Sequence, residues 1–168
     1  MHKNIVVFDL DGTLSNGKHR NHLVPDAKDA HKCSAWEAHY NAAGGDTPIQ
    51  DTIDVCFALN GAGYEIVILT GRCVDASDVT VGWLADHQIP YARLIMRDFD
   101  DERPDILYKE EELLKLGLDN ILCCFDDLEH VATMMRGLGL TCYLVNKYNK
   151  KRVNTTDNSE WGELDEFG

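Results

Sequence analysis

Residues Ile5–Arg20 read IVVFDLDGTLSNGKHR. Four apolar residues run into Asp9 and Asp11, one residue apart, followed by Gly12-Thr13 and then His19-Arg20. An apolar run this short and unbroken is how a strand buried on both faces reads. Carboxylates two apart at its end face the same way, which is costly unless something positive binds there. The same signature recurs at Tyr64–Leu69, Arg93–Met96, Ile121–Phe125 and Cys142–Val145. Between these runs, helical patterns cover Ile49–Asn60, Val74–His87, Pro104–Leu116 and Leu128–Gly137. Pro104 suits a first helical turn, while Gly61, Gly117 and Gly137 suit helix ends. Strands alternating with helices predict an α/β fold: three layers, Rossmann-like, with a central mostly parallel sheet. Asp26–Gly45 interrupts the alternation with helical composition and predicts a small helical cap over about residues 22–47. Residues 1–146 then form the main domain, and the polar, aperiodic stretch 147–168 a C-terminal tail.

The chain's 168 residues suit one domain that buries roughly two thirds of its surface. No run approaches the length of a membrane helix, and MHKNIVVFD is too short a segment for a signal peptide, so a cytoplasmic protein without membrane contact is expected. The six cysteines form no C-x-x-C pair and are expected as buried, reduced thiols. His31, Cys33 and His39 lack the fourth ligand of a zinc site. The net charge of −13 argues against binding along an extended duplex, where basic patches neutralise phosphates. A nucleotide or strand end held by a few local arginines remains compatible with it.

Ligands in open α/β sheets bind at the carboxyl ends of the strands. The first strand brings Asp9 and Asp11 to that edge, the second Thr70, Gly71 and Arg72, and the fourth Asp126 and Asp127. Lys109 arrives from the helix before the fourth strand. Each has an ordinary structural explanation alone: a turn at Gly12, a strand-to-helix turn at Thr70-Gly71, helix-capping carboxylates at Asp126-Asp127, a solvated face around Lys109. Their convergence calls for a common cause. Clustered carboxylates demand a hard divalent cation, and oxygen ligands beside a phosphate point to Mg²⁺. A carboxylate can attack phosphorus, a second can shuttle the proton, and a hydroxyl, backbone amides and a lysine can hold the phosphoryl oxygens.

VVFDLDGTL, ILTGR, Lys109 and FDDLEHV resemble the four motifs of the haloacid dehalogenase superfamily, in order across Ile5–Val145. The resemblance implies Asp9 as nucleophile and Asp11 as acid/base. It implies Mg²⁺ held by Asp9, the backbone carbonyl of Asp11, and Asp126, with Asp127 in support, and Thr70 and Lys109 on the phosphoryl group. Asp11 sets the chain apart from dehalogenases, which lack that aspartate, and from P-type ATPases, which carry lysine there. A phosphatase is implied. YEIVILTGR, LIMRDFDDERPDILYKEE and FDDLEHVATMMRGLGLTCYLV further resemble the 3′-phosphatase domain of phage-type polynucleotide kinase–phosphatases. That likeness implies substrate contacts at Arg20, Gly71, Arg72, Arg97 and Asp105. No G-x-x-x-x-G-K-[ST] motif of a kinase half is found.

The expected activity is therefore Mg²⁺-dependent hydrolysis of a phosphate monoester through an aspartyl-phosphate. The substrate is nucleotide-like: a polynucleotide 3′-phosphate or a nucleoside monophosphate. The alternatives are a phosphotransferase or mutase with the same intermediate, which needs a larger cap, and a non-catalytic nucleotide-binding module, which usually lacks one of these aspartates. Trp36 and Tyr40, four apart, are expected to pack the cap, with base stacking as the alternative. His19 and His22 are expected to be exposed loop residues.

Overall fold

The computed structural model describes residues 3–145; the tail expected at 147–168 lies outside the described residues. Five parallel strands form the central sheet in the order β5-β4-β1-β6-β7. They are β1 (Ile5–Phe8), β4 (Glu65–Cys73), β5 (Arg93–Arg97), β6 (Ile121–Asp126) and β7 (Cys142–Leu144). Two short strands, β2 (Ser15–Asn16) and β3 (Thr47–Pro48), pair antiparallel beside it. The helices are α1 (Glu37–Asn41), α2 (Gln50–Gly61), α3 (Ser77–Asp86), α4 (Asp105–Leu116) and α5 (Glu129–Gly137).

All four residues of β1 are buried because both faces of the sheet are covered. Its side chains alternate between two cores. Val7 joins Val67, Leu69 and Cys124 under Tyr108 and Leu113 of α4 and Val131 and Met135 of α5. Val6 and Phe8 join Ile66 and Ile68 under Ile53 and Cys56 of α2 and Trp83 and Leu84 of α3. Phe8 stacks on Phe125, its neighbour in register on β6, with ring centroids 4.5 Å apart. The central place of β1, between β4 and β6, is what carries Asp9 and Asp11 to the middle of the sheet edge.

Two elements differ from their expected form. β4 continues to Cys73 rather than ending at Leu69, and its pairing with β5 is irregular between Leu69 and Cys73. Thr70, Gly71 and Arg72 thus lie in a break in the ladder, where their groups turn toward the site. The stretch 26–45 contains only one five-residue α-helix, α1, flanked by 3₁₀ turns at Cys33–Trp36 and Ala42–Gly45. A helix this short gains little from propagation, and Gly44-Gly45 would each cost about 1 kcal/mol within one. The inserted segment leaves the core at β2 and rejoins it at β3, so the small sheet ties its two ends together.

The expectation that every cysteine is a free thiol is corrected here. Cys33, in the inserted segment, and Cys73, at the end of β4, are joined by a disulfide, with Cα atoms 5.9 Å apart. They are 40 residues apart in sequence, so no local spacing pattern could announce the pair. Cys56, Cys123, Cys124 and Cys142 are free and buried, as expected. Closing a loop of this length restricts the unfolded chain by roughly 4 kcal/mol in the loop-entropy description. Cys33→Ser is therefore expected to lower unfolding free energy by about 2–4 kcal/mol in urea titrations under oxidising conditions, and reductant should bring the wild type down to the variant. An unchanged midpoint would show that the bond does not contribute to stability.

Candidate active site

Asp9 follows β1 and its backbone N–H donates to Phe125 O at 2.9 Å, which draws the chain end against β6. Lys109, buried on α4, donates to Asp9 Oδ1 at 2.9 Å and Asp126 Oδ2 at 2.8 Å. Asp105, one turn earlier on α4, lies 3.5 Å from the same ammonium. Asp126 also accepts the Leu128 N–H at 2.9 Å, so it anchors the start of α5 as well as the site. Oxygens of Asp9, Asp126 and Asp127 lie within 4.8 Å of one another. Burial would lower the Lys109 ammonium, but Asp9, Asp105 and Asp126 outweigh it and raise it well above its ordinary value. Burial pushes the Asp9 carboxyl well above the carboxylate range against the pull of Lys109. Burial and then the Asp126 charge push Asp127 up to about 6.

The donor set fits a divalent cation. Three carboxylates face a single lysine, and Asp105 is shared with Arg97, so negative charge exceeds positive charge on the floor of the site. Asp127 Oδ1 is buried without a hydrogen-bond partner. Such an atom is expensive to leave unpaired and is explained by an ion or water at this position. Gly12, at φ +83°, makes the close approach possible: a Cβ there would run into the Asp127 carboxylate. Gly71 is required for the same reason, since a Cβ would lie 2.5 Å from Asp105 Oδ1.

A second charged group lies beside the first. Asp11 accepts Arg72 Nε at 2.8 Å and Nη2 at 2.7 Å, and also pairs with Arg20 Nη2. Both arginines are about 1% exposed. Each also donates to Asp46: Arg20 Nε at 2.7 Å and Nη2 at 2.6 Å, and Arg72 Nη2 at 3.1 Å. Asp46 is held in turn by His19 Nε2 at 3.0 Å, and its carbonyl accepts Trp83 Nε1 at 2.9 Å. Two arginines and two aspartates balance one another. Burial opposes the ionised form of Asp11, but Arg72 and Arg20 hold its carboxyl at about 2. They lower Asp46 as well, against its burial.

The structure thus brings Asp9, Thr70, Lys109, Asp126 and Asp127 together around one floor, with Asp11 at its side. Arg20 and Arg72 lie next to Asp11 but direct their donors to internal aspartates. Arg97 donates to Arg103 O at 2.6 Å and Asp105 Oδ1 at 3.0 Å, and its guanidinium lies 4.5 Å from the Tyr108 ring centroid. Its guanidinium supports Asp105 and the 101–103 turn. His19 is a partner of Asp46 rather than only a loop residue. Sequence reasoning missed Asp46 and His39. Only the acidity of Asp46, placed where the inserted segment rejoins the core, could have drawn attention to it.

His39 Nδ1 lies 2.6 Å from Arg20 Nη1. Burial first, and then the Arg20 charge, pull the imidazole down to about 4. An unfolded chain takes up this proton below about pH 6.5, whereas the folded one refuses it to about pH 4. Stability contributed here is therefore complete above about pH 6.5 and is lost as pH falls toward about 4. His39→Gln is expected to flatten the fall in melting temperature across that window, and parallel curves for variant and wild type would refute it. The depressed carboxylates act lower, from about pH 4 toward pH 2.

Comparisons with known proteins agree with this geometry. The fold together with the family match below makes the chain a phosphatase of the haloacid dehalogenase superfamily. A haloacid dehalogenase-like hydrolase from Streptococcus pneumoniae shares the fold at 15% identity and TM-score 0.58, with 84% of this chain and 83% of that one covered. The family model of the polynucleotide kinase PNKP phosphatase domain matches residues 3–149, and the chain belongs to that family. A chain of the Pnkp1/Rnl/Hen1 complex is 31% identical at TM-score 0.69, covering 85% of this chain and 46% of its own length. A chain of the Pnkp1/Rnl/Hen1 RNA repair complex is 30% identical at TM-score 0.67, with 87% and 43% covered. This chain therefore spans less than half the length of either. No curated protein matches it significantly. Among the described residues no helix is long and apolar enough to cross a membrane.

Proposed function

We propose that this phosphatase hydrolyses the phosphate monoester at a nucleic-acid 3′ end, with Asp9 as nucleophile. The excess of carboxylates over the single Lys109 on the floor carries the reading, because it suits a cation and a transferring phosphoryl group together. The family match and the likeness to chains of an RNA repair complex support the choice of a nucleic-acid end. The inserted segment, about residues 22–47, serves as a small cap over the strand ends.

An Asp9 carboxylate oxygen attacks phosphorus, and the bond from phosphorus to the ester oxygen breaks. Asp11, whose carboxyl Arg72 and Arg20 hold at about 2, must first take up a proton from solvent, and it gives that proton to the departing oxygen. Water then attacks the phosphorus of the aspartyl-phosphate, returns a proton to Asp11, and releases inorganic phosphate and Asp9. Both Asp11 oxygens accept from arginines. The acid role thus requires the phosphate dianion to take over part of those contacts, which gives Arg20 and Arg72 a share in substrate binding. Thr70 and Lys109 hold the phosphoryl oxygens. A Mg²⁺ ion bound by Asp9, Asp126 and the Asp11 carbonyl, with Asp127 in support, would neutralise charge on the phosphoryl group.

The test is phosphate release with Mg²⁺ from oligonucleotides phosphorylated at either end and from nucleoside 3′- and 5′-monophosphates. Release concentrated on 3′-phosphorylated oligonucleotides is expected. Preferential turnover of free monophosphates would make the chain a nucleotidase and overturn the substrate assignment.

A further inference from the structure

Asp9, Asp11, Thr70 and Lys109 line a cavity of about 480 Å³. One part of its wall comes from the inserted segment, through Trp36 and Tyr40. The two rings stack with an interplanar angle of 18° and centroids 5.9 Å apart. Tyr40 is buried, whereas Trp36 is only partly so. Tyr40, Cys33, Cys73 and Ala76 form a small apolar cluster against which Trp36 packs, and the disulfide within it anchors the wall to the end of β4. Trp36 Nε1 donates to Ala30 O at 2.9 Å. With its only polar group paired inside its own segment, the indole has an aromatic surface to offer the cavity and no free hydrogen-bond donor.

Packing the cap accounts for the Tyr40 side of the indole. It does not account for the part of Trp36 that lines the same cavity as Asp9, Thr70 and Lys109. An aromatic surface in the same cavity as a phosphoryl-transfer floor suits a phosphate ester that carries a flat aromatic group of its own. Lys32 and Arg103 also line this cavity, but Lys32 is paired with Asp29 and Arg103 with Asp101 and Glu111, so the anionic part of such an ester is met at Lys109 and the cation site. A phosphorylated nucleoside has both features.

We propose that Trp36 is a specificity-determining residue that stacks on the base of the terminal, phosphorylated nucleoside. The inference rests on the reading of the floor as a phosphate-monoester site and adds the group that the substrate must carry beyond its phosphate. Because every base presents a π-face, the preference is for having a base, with little discrimination among bases.

The experiment uses the full chain with Mg²⁺ and two matched substrates: a 3′-phosphorylated oligonucleotide ending in a nucleoside, and its twin ending in an abasic sugar. The quantity read is the ratio of kcat/KM for the first to that for the second. Wild type is expected to prefer the base-bearing end. Trp36→Leu should reduce that ratio by about 10- to 100-fold, the scale of one base–aromatic stack, and Trp36→Phe should restore most of it. A purely structural role would lower both rates and leave the ratio unchanged, which would overturn the proposal. Calorimetric binding of the two oligonucleotides to wild type and Trp36→Leu supplies a second readout. If nothing is hydrolysed, the reading of the floor as a phosphatase site for these ends fails; equal affinities of the two proteins for the base-bearing end would then overturn stacking separately.

Discussion

Asp9→Asn is expected to lower phosphate release by roughly 10⁴-fold or more, the scale seen when a covalent nucleophile is removed. Asparagine has nearly the shape of aspartate, and Asp9 sits at the end of a strand whose packing belongs to Ile5–Phe8. Lys109 keeps Asp126 at 2.8 Å, so its ammonium stays paired in the variant. The fold should therefore survive, with a melting curve close to that of the wild type. What disappears is an oxygen able to form the acyl phosphate, together with one of the negative charges facing the proposed cation. Phosphate release and circular dichroism on the same preparation separate the two effects. Turnover within tenfold of wild type would remove Asp9 from the nucleophile's role, and an unfolded variant would make its carboxylate a structural necessity.

Asp46→Asn is expected to act chiefly on stability. Arg20 and Arg72 are both buried, and Asp46 is the fully buried partner they share, whereas the Asp11 side chain is 38% exposed. Removing the Asp46 charge leaves two guanidinium groups against one aspartate in a poorly hydrated space. Breaking a buried ion pair from one side costs about 3–5 kcal/mol because an uncompensated charge is left behind. For a chain of this size that is a fall in melting temperature of roughly 6–20 °C. The retained amide oxygen can still accept one hydrogen bond, which places the expected cost toward the lower end. Activity should fall as well, since Arg72 and Arg20 hold Asp11 in place beside Asp9. A loss below about 1 kcal/mol would mean that water reaches the arginines and balances their charge.

The two predictions draw on features of unequal visibility in the sequence. The floor around Asp9 was legible because its parts are local. D-x-D-G follows an apolar run, T-G-R follows another, and D-D ends a third, while Lys109 sits in a helical pattern between two of them. The alternation of strands and helices then implies which ends share an edge. The ring around Asp46 has no such signature. Asp46 lies in GGDTP, which reads as a turn, and its partners are 26 residues away on either side. The resemblance implies substrate contacts at Arg20 and Arg72, and the structure adds that both donate to Asp11 and Asp46. A charge pattern in sequence does not show that an arginine is also held by a buried aspartate.

By itself the sequence determined the α/β class, the places of the main elements, and which groups share the strand edge around Asp9. Strand and helix periodicity and turn chemistry act over a few residues and are written locally. Tertiary structure alone decided that Cys33 bonds Cys73, that Asp46 joins two arginines to His19, and that Trp36 lines the cavity holding Asp9. Each of these depends on where the inserted segment returns to the sheet edge. That return is set by the packing of the whole segment and by burial of charge, which become defined only once the sheet has formed.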